Sequence, residues 1–316
     1  MPLPVPVPTS SALRTAADRF SRDSTVVVEP TDPRPGAWVG APSVVHHDGT
    51  WWMAYRVREP VGQGRGIANA LARSDDGVTF EPIAGLGKQH FGDVESLERP
   101  TLVRDPAGGW RLYVSCATPG TKHWRVDLVE ADTVEGLATA EPVTVLPGSD
   151  AEAVKDPVIR LADGRWHLWA SVHPLDDPDA TDRMTTGHAV SDDGRSWTWT
   201  GTALAPRPGT WDARGVRITT VFLDGDRSWA LYDGRATAAE NWEERTGIAV
   251  ADGTLPDGSP RFRADGDGPL LQSPHPPHGL RYADAVPLPD GTTRWFYEVT
   301  REDGGHDLRT VLLPST

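Results

Sequence analysis

Carboxylates and arginines stand immediately before several short apolar segments of this chain. Asp156 precedes an apolar run that begins at Pro157, and Glu98 precedes a similar run that begins at Pro100. Two carboxyl groups in one site can divide acid and base work, because mutual repulsion and nearby arginines separate their pKa values. We therefore predict carboxylate acid and base chemistry. The candidate catalytic residues are Asp156, Glu98, Asp284 and Asp212.

Basic and aromatic residues accompany these acids. Arginine binds planar anions, and tryptophan and tyrosine present flat faces on which sugar rings stack. The candidate substrate-binding residues are Arg56, Arg58, Arg99, Arg214, Arg217, Arg281, Trp38 and Tyr282. Charges that converge on one concave site favour a ligand site. The alternative, that ion pairs such as Arg99–Asp156 or Arg217–Asp284 only close the site, stays open.

The histidines do not form a recognisable metal-ligand pattern. His275 and His278 lie near one candidate acid, Asp284, but no second cluster of ligands accompanies them. We predict no metal and no cofactor.

A strand, a tight turn and a second strand recur five times along the chain. In the third copy Asp163-Gly164 forms the turn, because glycine tolerates the positive φ that a two-residue hairpin requires. A tryptophan marks the second strand of each copy, roughly every 60 residues. These tryptophans are Trp52, Trp110, Trp166, Trp229 and Trp295. All-strand units of this length are typical of β-propeller blades.

We predict an all-β fold, a single five-bladed β-propeller domain over residues 1–316. The blades span about 36–86, 93–147, 150–205, 210–268 and 279–316, after an N-terminal extension at 1–23. A strand at 25–29 has no partner nearby in sequence. Because an open ring of sheets leaves exposed edges, this N-terminal strand is expected to complete the last blade. The first strands of the blades then converge and bring the candidate residues to one channel mouth.

Composition excludes some classes of partner. The net charge of −14 opposes binding to nucleic acid or to an anionic membrane. No apolar stretch is long enough to span a bilayer, and the N-terminus lacks the features of a signal peptide. The single cysteine, Cys116, excludes an intrachain disulfide. We predict a cytoplasmic monomer that binds a saccharide or another small molecule, with no nucleic-acid or membrane partner.

The repeats carry a family resemblance. Five units with an acid-Pro pair, then Asp-Gly, then paired aromatic residues resemble the five-bladed furanosidase-like glycosidase superfamily, which holds arabinanases, β-xylosidases, invertase-like enzymes and mannoside phosphorylases. In its hydrolase branch an aspartate of blade one is the base, an aspartate of blade three orients the acid, and a glutamate of blade four is the acid. Asp156 matches the blade-three position. Ala41 stands where the base is expected, and no glutamate precedes Thr219.

The resemblance implies a glycoside hydrolase-like enzyme that cleaves or transfers a glycosyl group at the channel mouth. The phosphorylase branch instead uses one acid with basic residues that bind phosphate. Arginines of this chain that match such a role are Arg56, Arg58, Arg99, Arg214 and Arg217. Two alternatives stay open. Ala41 in place of the base favours a propeller that binds sugars or small molecules without hydrolysis, and the absence of a secretion signal favours a biosynthetic enzyme that reuses the pocket.

Overall fold

Most of the regular secondary structure in the chain consists of antiparallel strands. The structure is a computed structural model that describes residues 8–32, 34–60 and 62–315, so the first seven residues of the N-terminal extension lie outside the described residues. Two short helices come first, α1 (Ser10–Thr15) and α2 (Arg19–Arg22). Short 3-10 helices occur at Lys88–Phe91, Glu135–Thr139 and Ala238–Glu240. Neither α-helix of the described part has the length and apolar character needed to cross a membrane.

The described residues form twenty strands, which follow the chain in consecutive groups. After β1 (Thr25–Val28), the first group is β2 (Trp38–His47), β3 (Thr50–Arg58), β4 (Gly66–Ser74) and β5 (Glu81–Gly87). The second is β6 (Leu97–Asp105), β7 (Gly109–Ala117), β8 (Trp124–Ala131) and β9 (Val143–Leu146). The third is β10 (Glu152–Ala162), β11 (Arg165–Pro174), β12 (Thr185–Ser191) and β13 (Thr198–Leu204). The fourth is β14 (Gly215–Phe222), β15 (Trp229–Arg235), β16 (Arg245–Thr254) and β17 (Pro260–Ala264), and the last is β18 (Leu280–Pro287), β19 (Thr292–Thr300) and β20 (His306–Pro314).

The second, third and fourth groups each form a four-stranded sheet in chain order. The first and last groups share one larger sheet, in which β20 and β2 meet at a single parallel pair, Trp38 with His306. The predicted all-β class is therefore confirmed, and several four-stranded sheets are the architecture expected of a propeller.

The N-terminal strand pairs with the last group, as the unpaired strand in the sequence predicts. Thr25 lies opposite Thr310 and Val28 opposite Leu308, in antiparallel register with β20. The preceding helices pack beside this strand: the Phe20 ring lies 5.8 Å from that of Trp295 and 5.1 Å from that of Tyr297. The start and the end of the chain are thus held in one sheet.

The Asp-Gly turns have the predicted geometry in two hairpins. Asp163 and Gly164 have φ angles of 52° and 77°, and Asp48 and Gly49 have φ angles of 50° and 78°. Two consecutive positive φ angles are the mark of the type I′ turn, which matches the twist of the flanking strands.

The tryptophans of the repeat are buried between neighbouring sheets, with one difference in the first group. Trp110, Trp166, Trp229 and Trp295 are all at most 6% exposed. In β3 the buried indole is Trp51, whereas the predicted Trp52 is partly exposed and its ring lies 5.7 Å from that of Trp110. Two consecutive tryptophans point to opposite faces of a strand, so the sequence could not decide which one is buried.

We expect deletion of residues 1–30 to lower the melting temperature, because it removes β1 and Phe20 from the last sheet. The single change Phe20→Ala tests the same packing and is expected to cost about 3–5 kcal/mol of unfolding free energy, the scale of a buried aromatic side chain. Chemical denaturation measures both effects.

Val143→Ala is the matched control, since Val143 is 62% exposed in an edge strand and should change stability by less than about 0.5 kcal/mol. An unchanged melting temperature in the deletion variant would contradict the role of β1 in holding the last sheet.

Candidate active site

The first strand of each group carries a β-bulge at an equivalent place. The register shifts lie between Gly40 and Ser43, Leu97 and Pro100, Lys155 and Val158, Ile218 and Thr220, and Arg281 and Asp284. Three bulge residues have a left-handed backbone although none is glycine: Ala41, Asp156 and Tyr282, with φ angles of 49°, 54° and 54°. Such a conformation costs about 1–3 kcal/mol and persists only where surrounding contacts fix it. Bulges redirect side chains out of the ladder.

Asp156 is fully buried beneath three cavity residues. Its Oδ2 accepts hydrogen bonds from Arg217 at 3.2 Å and from the Tyr282 hydroxyl at 3.4 Å, and it lies 3.6 Å from Lys155 Nζ. Its backbone N–H donates to Ser115 Oγ at 2.8 Å. Among the described residues the other carboxylate oxygen, Oδ1, has no hydrogen-bond partner. The bulge therefore holds Asp156 at the floor of the site with one oxygen uncommitted.

Glu98 is held by two arginines of the first group. Arg56 binds Glu98 directly and binds Glu298 at 3.0 Å, so it joins the second group to the last. Arg58 Nη1 lies 4.0 Å from Glu98 Oε1. All four side chains are at most 4% exposed.

Four further charged residues complete this buried network, and the sequence analysis did not single them out. Arg281 pairs with Glu244 at 2.7 Å and with Glu298 at 2.8 Å. Arg217 pairs with Asp233 at 2.7 Å. The sequence pattern could have pointed to two of them, because Asp233 and Glu298 each directly follow an aromatic residue of the repeat, Tyr232 and Tyr297. The missed residues of the network are Asp233, Arg235, Glu244 and Glu298, and Lys155 beside Asp156 was missed as well.

A cavity of about 400 Å³ lies over this network, a volume suited to a small ligand. Five of the candidates from the sequence line it: Arg56, Glu98, Arg217, Arg281 and Tyr282. Asp156 sits directly behind Lys155, Arg217 and Tyr282, which form part of the wall. Other lining residues include Trp124, Lys155, His173, Arg235, Trp242 and Glu244.

Burial and charge act in opposite directions on the carboxylates. Burial would raise the pKa of Glu98, but Arg56, Lys155 and Arg58 outweigh it and hold the pKa below its usual range. Burial likewise opposes ionisation of Asp156, and Lys155 and Arg217 lower its pKa overall. Both groups are therefore ionised at neutral pH.

For Asp233 and Lys155 burial is the stronger effect, and it moves each pKa toward the neutral form of the group. Burial raises the pKa of Asp233 despite the pull of Arg217. Burial lowers the pKa of the Lys155 ammonium, although Asp156 and Glu98 partly offset it. Burial also lowers the pKa of His173 to about 3, so this imidazole is neutral in the cavity wall. The Lys155 ammonium therefore loses a proton more readily than a lysine in water does.

Arg58 and Trp38 lie behind the cavity wall. The Arg58 guanidinium is 4.3 Å from the ring centroid of Trp38 and 4.9 Å from that of Trp242. Burial lowers the pKa of Arg58 to about 10, with Glu98 opposing the shift. Trp38 stacks on His306 with 4.3 Å between ring centroids. These two candidates support Trp242, which does line the cavity.

Arg99 and Asp284 are buried without lining the cavity. Arg99 donates to the backbone carbonyl of Thr219 at 2.9 Å. Asp284 accepts from the backbone N–H of Val44 at 2.8 Å and pairs with Arg160 at 3.3 Å. The ion pairs Arg99–Asp156 and Arg217–Asp284 do not occur among those of the described residues; Arg217 pairs with Asp156 instead.

Asp212 and Arg214 lie away from the cavity wall. Asp212 is buried and accepts hydrogen bonds from the Tyr232 hydroxyl at 2.8 Å and from Arg207 at 3.1 Å. Arg214 pairs with Asp182, which lines the cavity, at 2.5 Å. In the described part of the chain no group of three or more His, Cys, Asp or Glu side chains is arranged to hold a metal ion.

Solved structures of similar fold are enzymes that act on glycosides. β-1,2-Mannobiose phosphorylase from Listeria innocua, in complex with β-1,2-mannobiose, matches with a TM-score of 0.65 and 16% identity, over 91% of this chain and 93% of that chain. A thermostable family-43 glycoside hydrolase matches with a TM-score of 0.62 and 16% identity, over 90% of this chain and 92% of that chain. A third match is a structure from the GH130 family of mannoside phosphorylases, which contains glycoside hydrolases that target β-1,2 mannosidic linkages in Candida mannan. Its TM-score is 0.62 and its sequence identity 14%, over 98% of this chain and 94% of that chain.

By sequence, the chain matches no protein-family model and no curated protein. At identities between 14% and 16% the structural similarity establishes the fold. The resemblance that the repeats indicated is therefore confirmed at this level: the chain shares its fold with glycoside hydrolases and mannoside phosphorylases.

Proposed function

We propose that this protein is a five-bladed propeller that processes glycosyl groups by hydrolysis. The blade count is supported by the five bulged first strands and by β1, which supplies a fourth strand to the last group. The observation that carries the function is one cavity of about 400 Å³ with Glu98 in its wall and Asp156 directly behind Lys155. The fold shared with glycoside hydrolases agrees with this proposal.

In the proposed reaction Glu98 is the base, because it lines the cavity and its lowered pKa keeps it ionised. Glu98 takes a proton from water as the water oxygen bonds to the anomeric carbon and the glycosidic C–O bond breaks. The leaving oxygen takes a proton from the Lys155 ammonium. Asp156 lies 3.6 Å from Lys155 Nζ and orients this acid, the role that the resemblance implies for the aspartate of blade three.

The arginines of the wall favour hydrolysis over phosphorolysis. Arg56, Arg217, Arg235 and Arg281 all form ion pairs with buried carboxylates, so their charge is already compensated. Activity on chromogenic furanosides and pyranosides, with and without phosphate, tests the proposal. Turnover that needs no phosphate is the expected result.

A second candidate function is sugar binding without cleavage, and one observation favours it. Ala41 is fully buried and supplies only its backbone N–H, which donates to Glu298 at 3.0 Å. The blade-one position of the predicted base therefore holds no carboxylate. Binding of a saccharide with no turnover on any tested glycoside would select this function.

We expect Asp156→Asn to lower turnover about 10²-fold or more, because the neutral amide no longer orients the Lys155 ammonium. Steady-state kinetics on the best chromogenic glycoside measures the effect. Asp212→Asn is the matched control: it removes an equally buried charge away from the cavity, so it should lower stability and spare turnover. Full activity in Asp156→Asn would rule out this assignment.

Glu98→Gln should reduce turnover on a similar scale, because glutamine cannot take a proton from water. Azide, a nucleophile that needs no base, is expected to restore part of the activity. Glu95→Gln is the control, since Glu95 also lines the cavity but pairs with Arg65 at its rim. Equal losses in the two variants, without azide rescue, would speak against Glu98 as the base.

The pH profile of kcat/KM should be broad. Activity falls on the acid side as Glu98 gains a proton, and its lowered pKa places this limb below pH 4.5, the ordinary glutamate value. Activity falls on the alkaline side as Lys155 loses its proton, and its lowered pKa places this limb below pH 10.5. Circular dichroism across the range separates titration from unfolding, and an acid limb above pH 5 would contradict the assignment of the base.

A further inference from the structure

The few lysines of this chain lie together at one side of the cavity. Of 31 lysine and arginine residues only three are lysine. Lys88 Nζ donates to the backbone carbonyls of Gly64 at 3.2 Å and Glu95 at 3.1 Å, and Glu95 lines the cavity. Lys122 and Lys155 line the cavity themselves. An ammonium is a compact point charge that a guanidinium does not replace, so this side of the cavity is chemically distinct.

A second cavity adjoins the first at this side. We call it the outer cavity; its volume is about 640 Å³. Five residues form walls of both cavities: Arg65, Glu95, Lys122, Trp124 and Thr181. Because the walls are shared, the two cavities form one cleft, and each part has a volume in the range of a small-ligand pocket.

The junction carries positive charge that the protein leaves uncompensated. Arg65 pairs with Glu95 at 2.9 Å, and Lys155 lies beside Asp156. Lys122 is exposed and enters no ion pair among the described residues. Trp124 lies between the charges, with Lys155 Nζ at 4.8 Å and the Arg65 guanidinium at 5.9 Å from its ring. A free cation at this junction stands out against a net charge of −14.

We propose that the outer cavity binds a second unit of the substrate and that this unit carries an anionic group, a carboxylate or a phosphate ester, which pairs with Lys122. The inference rests on the proposed function and deepens it, since it defines the substrate as an acidic glycoside of at least two units. Thr121, His123 and Thr181 line the outer cavity and offer hydrogen bonds to the remaining hydroxyl groups. The central cavity then holds the unit whose glycosidic bond is cleaved.

Binding to a glycan array tests the proposal without requiring turnover. The array presents matched pairs of oligosaccharides. In one set the acidic member of each pair carries a carboxylate that the neutral member lacks, and in the other set it carries a phosphate ester. We expect at least one acidic glycan to bind about tenfold or more tightly than its neutral partner, the scale of a charged hydrogen bond. The two sets distinguish the two anionic groups, and the advantage should shrink as salt rises.

Lys122→Gln should abolish the advantage of the acidic glycan over its neutral partner, so that the two bind with similar affinity. Lys122 is exposed, so the variant is expected to fold. Arg227→Gln is the matched control: it removes one positive charge from a side chain that is 83% exposed and lines neither cavity, and it should retain the preference.

The outcomes separate this inference from the proposed function. Equal binding of acidic and neutral glycans, or a preference that survives Lys122→Gln, overturns the acidic subsite and leaves glycosyl processing standing. Absence of binding to every glycan, together with absence of turnover on the chromogenic glycosides, overturns both.

Discussion

A network of buried ion pairs is the interaction on which the rest of this structure depends. Arg56 connects carboxylates of the second and last groups, Arg217 connects the third and fourth, and Arg281 connects the fourth and last. Desolvation of isolated charges would be prohibitive, so each arginine must have carboxylate partners in place. Removing one member of such a pair typically costs about 3–5 kcal/mol, because the other charge stays buried. The network therefore links the sheets at one place in the molecule and restricts how they can be arranged.

The same network prepares the cavity for chemistry. By holding Glu98 and Asp156 ionised, it supplies fixed negative charge in a partly dehydrated site, where electrostatic interactions are stronger than in water. The wall arginines Arg56, Arg217, Arg235 and Arg281 are correspondingly committed to carboxylates, whereas the exposed Lys122 forms no ion pair among the described residues. The fold thus has no carboxylate at Ala41 and still presents one, Glu98 from the first strand of the second group, to the cavity.

The bulges connect backbone to chemistry. Asp156 and Tyr282 have left-handed backbones in the two bulges whose side chains meet at 3.4 Å. The energetic cost of this conformation is offset by hydrogen bonds from the bulge backbone, such as those from Asp156 N–H to Ser115 Oγ at 2.8 Å and from Tyr282 N–H to Asp233 at 3.0 Å. Strain and charge are concentrated together, which is typical of functional sites.

The sequence by itself determined the all-β class, the hairpins and the pairing of the N-terminal strand, because these follow from local turn chemistry and from the repeat of Asp-Gly and tryptophan. It also identified Glu98, Asp156, Arg217 and Arg281, since they stand near the start of apolar segments that form the first strands, and Arg56 through the family resemblance. Only the tertiary structure decided which acid meets which arginine. Arg217 selects Asp156 rather than Asp284, and Glu244 enters from the position just before the third strand of its group, because ion pairing depends on how separate sheets approach one another. Distances between sheets are not encoded in local pattern, so the lysine-lined cleft and its outer cavity also became visible only when the sheets were assembled.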